Sequence, residues 1–132
     1  MDRKIIFKYL SFLIFCILVL NLVAIKFYWY FTIRWFDMPM HFLGGLWLSS
    51  AIIWFFRKLD LSLKSIFYTL AGVLLIGILW EVYEILINNN FAQNPFDLPD
   101  TLSDLFFDLI GGVVGVILLS KKTFTTKENR VQ

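Results

Sequence analysis

The sequence predicts an all-α integral membrane protein with four transmembrane helices. Hydrophobic residues make up 59% of the 132 residues and charged residues 17%, and the mean hydropathy is +0.74, values that are unusual for soluble domains. Four apolar runs carry this excess, and each is close to the ~20 residues that cross a bilayer core. They cover residues 5–25, 40–56, 66–87 and 102–119. We therefore expect a single transmembrane domain over residues 1–132.

The first apolar run follows the short basic start MDRK, as it would in a signal peptide. The run is longer than the apolar region of a signal peptide, and no small-residue cleavage site follows it, so we interpret it as an uncleaved first span. Cys16 is the only cysteine and lies within this span. A single cysteine excludes an internal disulfide and a zinc site built from cysteines.

The distribution of lysine and arginine predicts how the spans are oriented. Only Lys26 and Arg34 lie on the side of the first and third loops. The other ten basic residues lie on the opposite side: Arg3, Lys4, Lys8, Arg57, Lys58, Lys64, Lys121, Lys122, Lys127 and Arg130. This predicts a bacterial-type cytoplasmic (inner) membrane protein with both termini cytoplasmic. The basic residues are too few for a nucleic-acid site and are interpreted as topology signals and contacts with anionic lipid.

Acidic residues and the only histidine are concentrated in the outer halves of three spans. Within each span they lie three or four residues apart, a spacing that places side chains on one helical face. They are Asp37 and His41 in the second span, Glu81 and Glu84 in the third, and Asp100, Asp104 and Asp108 at the start of the fourth. The pattern predicts an outward-facing polar cleft lined by carboxylates and one imidazole.

Helix capping is the alternative role for some of these acids. Asp100 follows Pro99 directly and is expected to cap the fourth span, while Thr101 and Asp104 match the [ST]-x-x-[DE] capping pattern. Asp37 is a candidate cap for the second span. Asp108 lies about 6 Å deeper than Asp104 along a helix, where a cap explains nothing.

The energetics favour a functional role for the deeper acids. An acidic residue at the centre of a membrane helix costs roughly 2.5–3.5 kcal/mol on insertion scales, and the outer halves of these spans contain no lysine or arginine. Shared protons or a bound cation remain as ways to offset this cost. Oxygen donors favour Mg²⁺, Ca²⁺ or Mn²⁺. The candidate ligands are Asp37, His41, Glu81, Glu84, Asp104 and Asp108, and the candidate catalytic residues are Glu81, Asp108 and His41.

The second and fourth spans share a short pattern. DMPMHFLGG (37–45) and DLFFDLIGG (104–112) both have the form D-x-x-x-[HD]-[FL]-[LI]-G-G. Parallel repeats of this kind occur in membrane proteins, and this one predicts that His41 and Asp108 lie at similar depth. Because glycine allows membrane helices to approach closely, we expect the last three spans to pack tightly in their inner halves. The first span, with Asn21 near its outer end, is expected to be peripheral.

Three motifs carry a family resemblance. They are D-x-x-x-H-F at 37–42, WEVYE at 80–84 and DTLSDLFFDLIGGVVG at 100–115. In this order they resemble motifs of the bacterial YjdF-type small integral membrane proteins and, more loosely, of VanZ-like proteins. The resemblance implies a membrane architecture, a cell-envelope setting and the polar positions named above. The chain departs from VanZ-like proteins in its pair of glutamates and in having Asp108 where they often have asparagine. It is also shorter than usual for the YjdF type.

Three functional hypotheses follow. The leading one is a cleft that binds a cation and, through it, a phosphate-bearing lipid or envelope substrate; an enzyme of this kind would catalyse metal- or carboxylate-assisted hydrolysis or transfer. The second is a proton- or cation-coupled transporter, for which a homo-oligomer would supply the path that a single chain lacks. The third is a non-catalytic envelope or resistance factor with a structural polar cluster. The loop at 88–100 is a candidate lid over the cleft.

Overall fold

The computed structural model describes residues 3–56, 62–87 and 96–128, with side chains up to Ser120. All regular secondary structure in these ranges is helical, which confirms the predicted all-α class. The five helices are α1 (Arg3–Lys26), α2 (Trp29–Thr32), α3 (Asp37–Phe56), α4 (Leu63–Ile87) and α5 (Leu98–Glu128).

Four of the helices are long and apolar enough to cross a membrane, as predicted. They are α1, α3, α4 and the Leu98–Ser120 part of α5, with 24, 20, 25 and 23 residues. Each begins two to four residues before the apolar run that predicted it, since the runs start at 5, 40, 66 and 102 and the helices at 3, 37, 63 and 98. The difference arises because polar first-turn residues, such as Asp37 and Lys64, are compatible with a helix although they interrupt an apolar run.

The start of α5 corrects one prediction. The Asp97 side chain accepts a hydrogen bond from the Asp100 backbone N–H at 3.4 Å, and the Asp97 carbonyl accepts one from the Thr101 N–H at 3.2 Å. Asp97 is therefore the N-cap, and the capping roles predicted for Asp100 and Thr101 are wrong. Pro99 fits in the first helical turn, where it lacks only an N–H that would have no helical partner.

The buried faces of α3 and α4 consist mainly of small and polar residues. On each helix the buried positions recur every four residues and form one stripe. The stripes are His41, Gly45, Ser49 and Ile53 on α3 and Thr69, Val73, Gly77 and Glu81 on α4. Large apolar side chains point outward instead, with Phe67 68% and Leu79 59% exposed. This arrangement suits a lipid surrounding, where close packing rather than apolar burial joins the helices.

Helices α3 and α5 run parallel and pack against each other through glycine, along a contact that we call the α3–α5 seam. A Cβ on Gly45 would overlap the backbone carbonyl of Asp108, and one on Gly111 would overlap the carbonyl of Phe42. Further along, Gly115 lies against the Ser49 hydroxyl. From the Phe42–Gly111 contact to the Ser49–Gly115 contact, both helices advance in the same direction. His41 and Asp108 are in contact and so lie at the same level, as the shared nine-residue pattern predicted.

Helix α1 lies at the side of the bundle, as predicted. It packs on α3, whose indole N–H groups at Trp47 and Trp54 donate to the carbonyls of Leu10 (3.0 Å) and Arg3 (3.3 Å). The Arg3 guanidinium also lies 4.6 Å from the Trp54 ring centroid, a cation–π contact. Of the four spans, α1 is the least buried within the bundle.

The short helix α2 was not predicted. It follows Tyr28, which has a left-handed backbone with φ of 57°. The buried Phe36 side chain packs edge-on against the rings of Trp29 and Tyr30, with centroids 5.3 and 5.2 Å apart. The Tyr30 hydroxyl donates to Asn21 Oδ1 of α1 at 2.7 Å. These contacts fix α2 beside the start of α3.

Candidate functional site

Three helices bring their polar residues together at one end of the bundle, where α3 and α5 begin and α4 ends. We call this the polar end. His41 lies one turn into α3, Glu81 lies in the last turns of α4, and Asp104 lies in the second turn of α5. The sequence predicted this convergence correctly. The members, called the His41 cluster below, are Asp37, His41, Glu81, Glu84, Asp104 and Asp108.

The His41 ring contacts all three helices. Its Nδ1 lies 3.3 Å from Asp108 Oδ2 on α5. Its Nε2 lies 3.8 Å from Asp37 Oδ1 on the same helix and 3.8 Å from Glu81 Oε1 on α4. The two ring nitrogens therefore face different carboxylates, and the imidazole is the geometric centre of the cluster.

Burial increases from the edge of the cluster inward. Asp100, at the start of α5, is exposed, and it is not a member of the cluster. Asp37 and Glu84 are partly exposed, whereas Glu81 and Asp104 are only 5% and 2% exposed. Of the three aspartates that the sequence spaces four apart on α5, Asp100 is thus exposed and Asp104 and Asp108 are buried.

Two of the enclosed carboxylate oxygens have no hydrogen-bond partner among the described residues. Neither Glu81 Oε1 nor Asp104 Oδ1 accepts a hydrogen bond from any residue that the structure describes. A buried polar group without a partner costs about 1–3 kcal/mol, and more when it is charged. The Thr101 side chain interacts with the Glu81 carboxylate, but it leaves Oε1 unsatisfied. A proton, a cation or a water molecule would satisfy these oxygens.

The described residues contain two groups that bring three ligand atoms within 4.8 Å of one another. One consists of Asp37, His41 and Glu84, and the other of His41, Glu81 and Asp104. Five of the six predicted metal ligands belong to these groups. Asp108, the sixth, belongs to neither and contacts His41 through Nδ1.

Asp108 sits in a niche made by glycines of the two neighbouring helices. A Cβ added to Gly77 would lie 2.6 Å from Asp108 Oδ2, and one added to Gly44 would lie 4.0 Å from Oδ1. The predicted tight glycine packing therefore begins at the level of the cluster itself, and not only inward of it. Glycine at position 77 leaves the space that the Asp108 carboxylate fills beside His41.

Tyr30 is a neighbour of the cluster that sequence reasoning missed. Burial and, to a lesser extent, the negative charges of Asp37 and Glu84 together raise its pKa from the usual 10 to about 12. The dense aromatic run YWYF at 28–31 was the available signal, but nothing in its spacing indicates a helix that folds back toward Asp37. The loop predicted as a lid lies largely outside the described residues, since 88–95 are not among them.

Comparisons with known proteins identify a family. A family model described as a predicted membrane protein, DUF2238, matches residues 2–123. The resemblance to YjdF-type proteins is consistent with this family, and the resemblance to VanZ-like proteins stays a prediction. No curated protein and no solved structure matches the chain. Because the match covers most of the sequence, the chain belongs to the DUF2238 family of predicted membrane proteins.

Proposed function

We propose that this protein binds one divalent cation in the His41 cluster. The observation that carries the proposal is the pair of unpartnered, buried oxygens, Glu81 Oε1 and Asp104 Oδ1, in a group whose ligand atoms lie within 4.8 Å of one another. Acidic clusters alone are common. Here two of the carboxylate oxygens are also enclosed without a hydrogen-bond partner among the described residues, and a cation would compensate their charge.

The spacing of the ligand atoms suits one cation. Two ligand atoms that bind a cation at about 2.0–2.6 Å lie about 3–5 Å apart, depending on the angle between the bonds. His41 Nε2 and Glu81 Oε1 are 3.8 Å apart, within this range. A cation between them would therefore require little movement of either side chain.

The contact between His41 and Asp108 supports the same proposal. A histidine that binds a metal through one ring nitrogen usually donates the N–H of the other nitrogen to a carboxylate, which fixes its tautomer and orientation. With Nδ1–H donating to Asp108 Oδ2 at 3.3 Å, Nε2 has a free lone pair toward Glu81. We therefore assign Asp108 a positioning role and His41 the ligand role.

The ligand set favours Mn²⁺ among the candidates that the sequence indicated. Carboxylate oxygens suit Mg²⁺, Ca²⁺ and Mn²⁺ alike, but an imidazole nitrogen is an unusual ligand for Mg²⁺ and Ca²⁺. Three protein ligands leave coordination positions open on a six-coordinate ion. An anionic group, such as the phosphate of a lipid or envelope precursor, is the ligand class that these positions would take.

The proposed location follows the charge distribution. The polar end is at the same end of the spans as the loop that contains Lys26 and Arg34, the two basic residues on the predicted outer side. We infer a bacterial-type inner membrane with cytoplasmic termini, which places the cluster toward the outer leaflet. Alkaline phosphatase fused to the last residue should then be inactive in cells. An active fusion would show that the orientation is the opposite of the inferred one.

Cation binding is tested by metal content and thermal unfolding of the purified protein with Mg²⁺, Ca²⁺, Mn²⁺ or Zn²⁺. A ligand at a hundredfold excess over its Kd stabilises a protein by about 3 kcal/mol, so Mn²⁺ should raise the wild-type Tm by several degrees. Glu81→Gln and Asp104→Asn should lose this increase, because each removes a ligand charge while conserving the shape of the side chain.

Asp100→Asn is the matched control. It removes the same charge from an exposed position on α5, so it should retain the increase in Tm. An equal loss of the Tm increase in all three variants would show that the increase depends on the overall negative charge and not on a specific site. A wild-type protein that contains no metal and is not stabilised by any of the four ions would overturn the proposal in favour of carboxylates that share protons.

A further inference from the structure

The two groups of candidate ligands overlap in one residue. His41 belongs to both, while Asp37 and Glu84 belong to one and Glu81 and Asp104 to the other. The His41 nitrogen that faces one carboxylate of each group is Nε2, which is 3.8 Å from Asp37 Oδ1 and 3.8 Å from Glu81 Oε1. Because Nδ1 is engaged by Asp108, only this nitrogen is available to a cation in either position.

The two groups differ in their access to solvent. Glu81 and Asp104 are 5% and 2% exposed, whereas the Asp37 side chain is 31% exposed and Glu84 is intermediate. Glu81 and Glu84 lie three residues apart on α4 and so are neighbours on one face of the helix. The more accessible pair is therefore directly adjacent to the enclosed pair.

We propose that the His41 cluster contains two alternative positions for the same cation, an outer one at Asp37 and Glu84 through which the ion enters and leaves, and an inner one at Glu81 and Asp104 where it is held. This inference rests on the proposed cation binding and adds the path by which the ion reaches and leaves the inner position. The His41 imidazole is the common ligand, so the ion exchanges Asp37 and Glu84 for Glu81 and Asp104 without losing its nitrogen ligand.

The unpartnered oxygens distinguish the two positions. Glu81 Oε1 and Asp104 Oδ1, the buried atoms without a hydrogen-bond partner among the described residues, both belong to the inner group. Leaving them unsatisfied is costly, so the ion is most stable there. Water solvates the outer pair in part, which makes Asp37 and Glu84 weaker but more accessible ligands.

The test measures exchange rates as well as affinity, with radioactive Mn²⁺ as the probe and the full chain in detergent or nanodiscs. In Asp37→Asn and in Glu84→Gln, association and dissociation should both slow by about tenfold, a change of about 1.4 kcal/mol in the barrier. The equilibrium Kd should change little, because the inner ligands are intact. Glu81→Gln should instead weaken the Kd by tenfold or more.

Asp100→Asn controls for the general attraction of an acidic surface, since Asp100 is exposed near the same end of the bundle and belongs to neither group. It should exchange Mn²⁺ at the wild-type rate. If Asp37→Asn weakens the Kd as strongly as Glu81→Gln, the cluster is one undivided site and the inference is wrong. If Asp37→Asn exchanges Mn²⁺ at the wild-type rate, the ion does not enter through the outer position, and the inference is again wrong. Wild-type protein that binds no Mn²⁺ would instead refute the proposed function itself.

Discussion

The segments 37–45 and 104–112 have the same nine-residue pattern but different ionisable side chains at its fifth position. Each begins with aspartate and ends with two glycines, and the two lie side by side in register across the α3–α5 seam. Gly45 packs on the backbone of Asp108, and Gly111 packs on the backbone of Phe42. At the fifth position one segment has His41 and the other has Asp108, and these two side chains are 3.3 Å apart.

The comparison distinguishes the residues that pack the two helices from the residues proposed to act in cation binding. The glycines serve the same purpose in both segments, which is to bring two backbones close together. The residues at the fifth position differ in chemistry. The His41 imidazole can offer a neutral nitrogen ligand, and the Asp108 carboxylate can orient that imidazole. The repeated pattern thus gives α3 and α5 the same glycine packing. It places different side chains, His41 and Asp108, against each other at the proposed cation site.

Breaking the shared part of the pattern should have the largest effect. In Gly45→Ala the new Cβ would overlap the Asp108 carbonyl and lie 2.9 Å from its Cα, so the helices must separate. We expect a loss of about 1–3 kcal/mol in unfolding free energy, together with loss of Mn²⁺ binding as His41 and Asp108 move apart. Thermal unfolding in detergent measures the first effect and metal content the second.

Gly72→Ala is the control for that variant. Its Cβ would meet only the flexible end of the Ile52 side chain, at 3.0 Å, which can move aside. It should therefore unfold close to the wild-type temperature and bind Mn²⁺ normally. Equal destabilisation by both substitutions would show that glycine content in general, and not the seam, determines the stability.

Changing the fifth position in each segment separates ligand from orienting residue. His41→Gln should abolish specific Mn²⁺ binding, because it removes the only imidazole. Asp108→Asn conserves the shape of the side chain in its glycine niche and should weaken binding by about 10–100-fold, the usual effect of losing the carboxylate partner of a metal-bound histidine. Equilibrium binding titrations measure both. An Asp108→Asn variant that binds Mn²⁺ as tightly as wild type would contradict the orienting role.

Tyr30 gives the smallest predicted effect and a pH dependence. Its pKa is raised from 10 to about 12 in the folded protein, so an unfolded chain releases this proton at lower pH than the folded one. The associated stability is present below pH 10 and is lost as the pH rises through 12. Between these values, the Tm of Tyr30→Phe should fall less steeply than that of wild type. Parallel curves would show that Tyr30 is not buried beside Asp37 and Glu84.

Much of the architecture was predictable because lipid imposes simple requirements on the sequence. Apolar length predicted the four spans, and helical spacing predicted that Asp37, Glu81 and Asp104 converge with His41. The pattern shared by two spans predicted the level at which His41 meets Asp108. These signals are a run length, a residue spacing and a short repeated pattern, and all three are visible in one sequence.

The remaining features depend on contacts between helices. Sequence spacing does not indicate which nitrogen of His41 faces Asp108, nor that Gly77 borders the Asp108 carboxylate. The N-cap was misassigned to Asp100 because Pro99 resembles the end of a loop, whereas it lies in the first turn after Asp97. Helix α2 is held by the packing of Phe36 on its rings and by the bond between Tyr30 and Asn21, and none of these contacts has a sequence period.

The central claim is that His41 is a ligand to a cation, and pulsed electron paramagnetic resonance of the Mn²⁺-loaded protein tests it directly. His41 is the only histidine among the 132 residues, so with a purification tag that lacks histidine, any imidazole nitrogen coupled to the metal belongs to it. We predict such a coupling in the wild type and in Asp100→Asn, and its loss in His41→Gln. Stoichiometric bound Mn²⁺ with no nitrogen coupling would contradict the claim, since the carboxylates alone would then hold the ion.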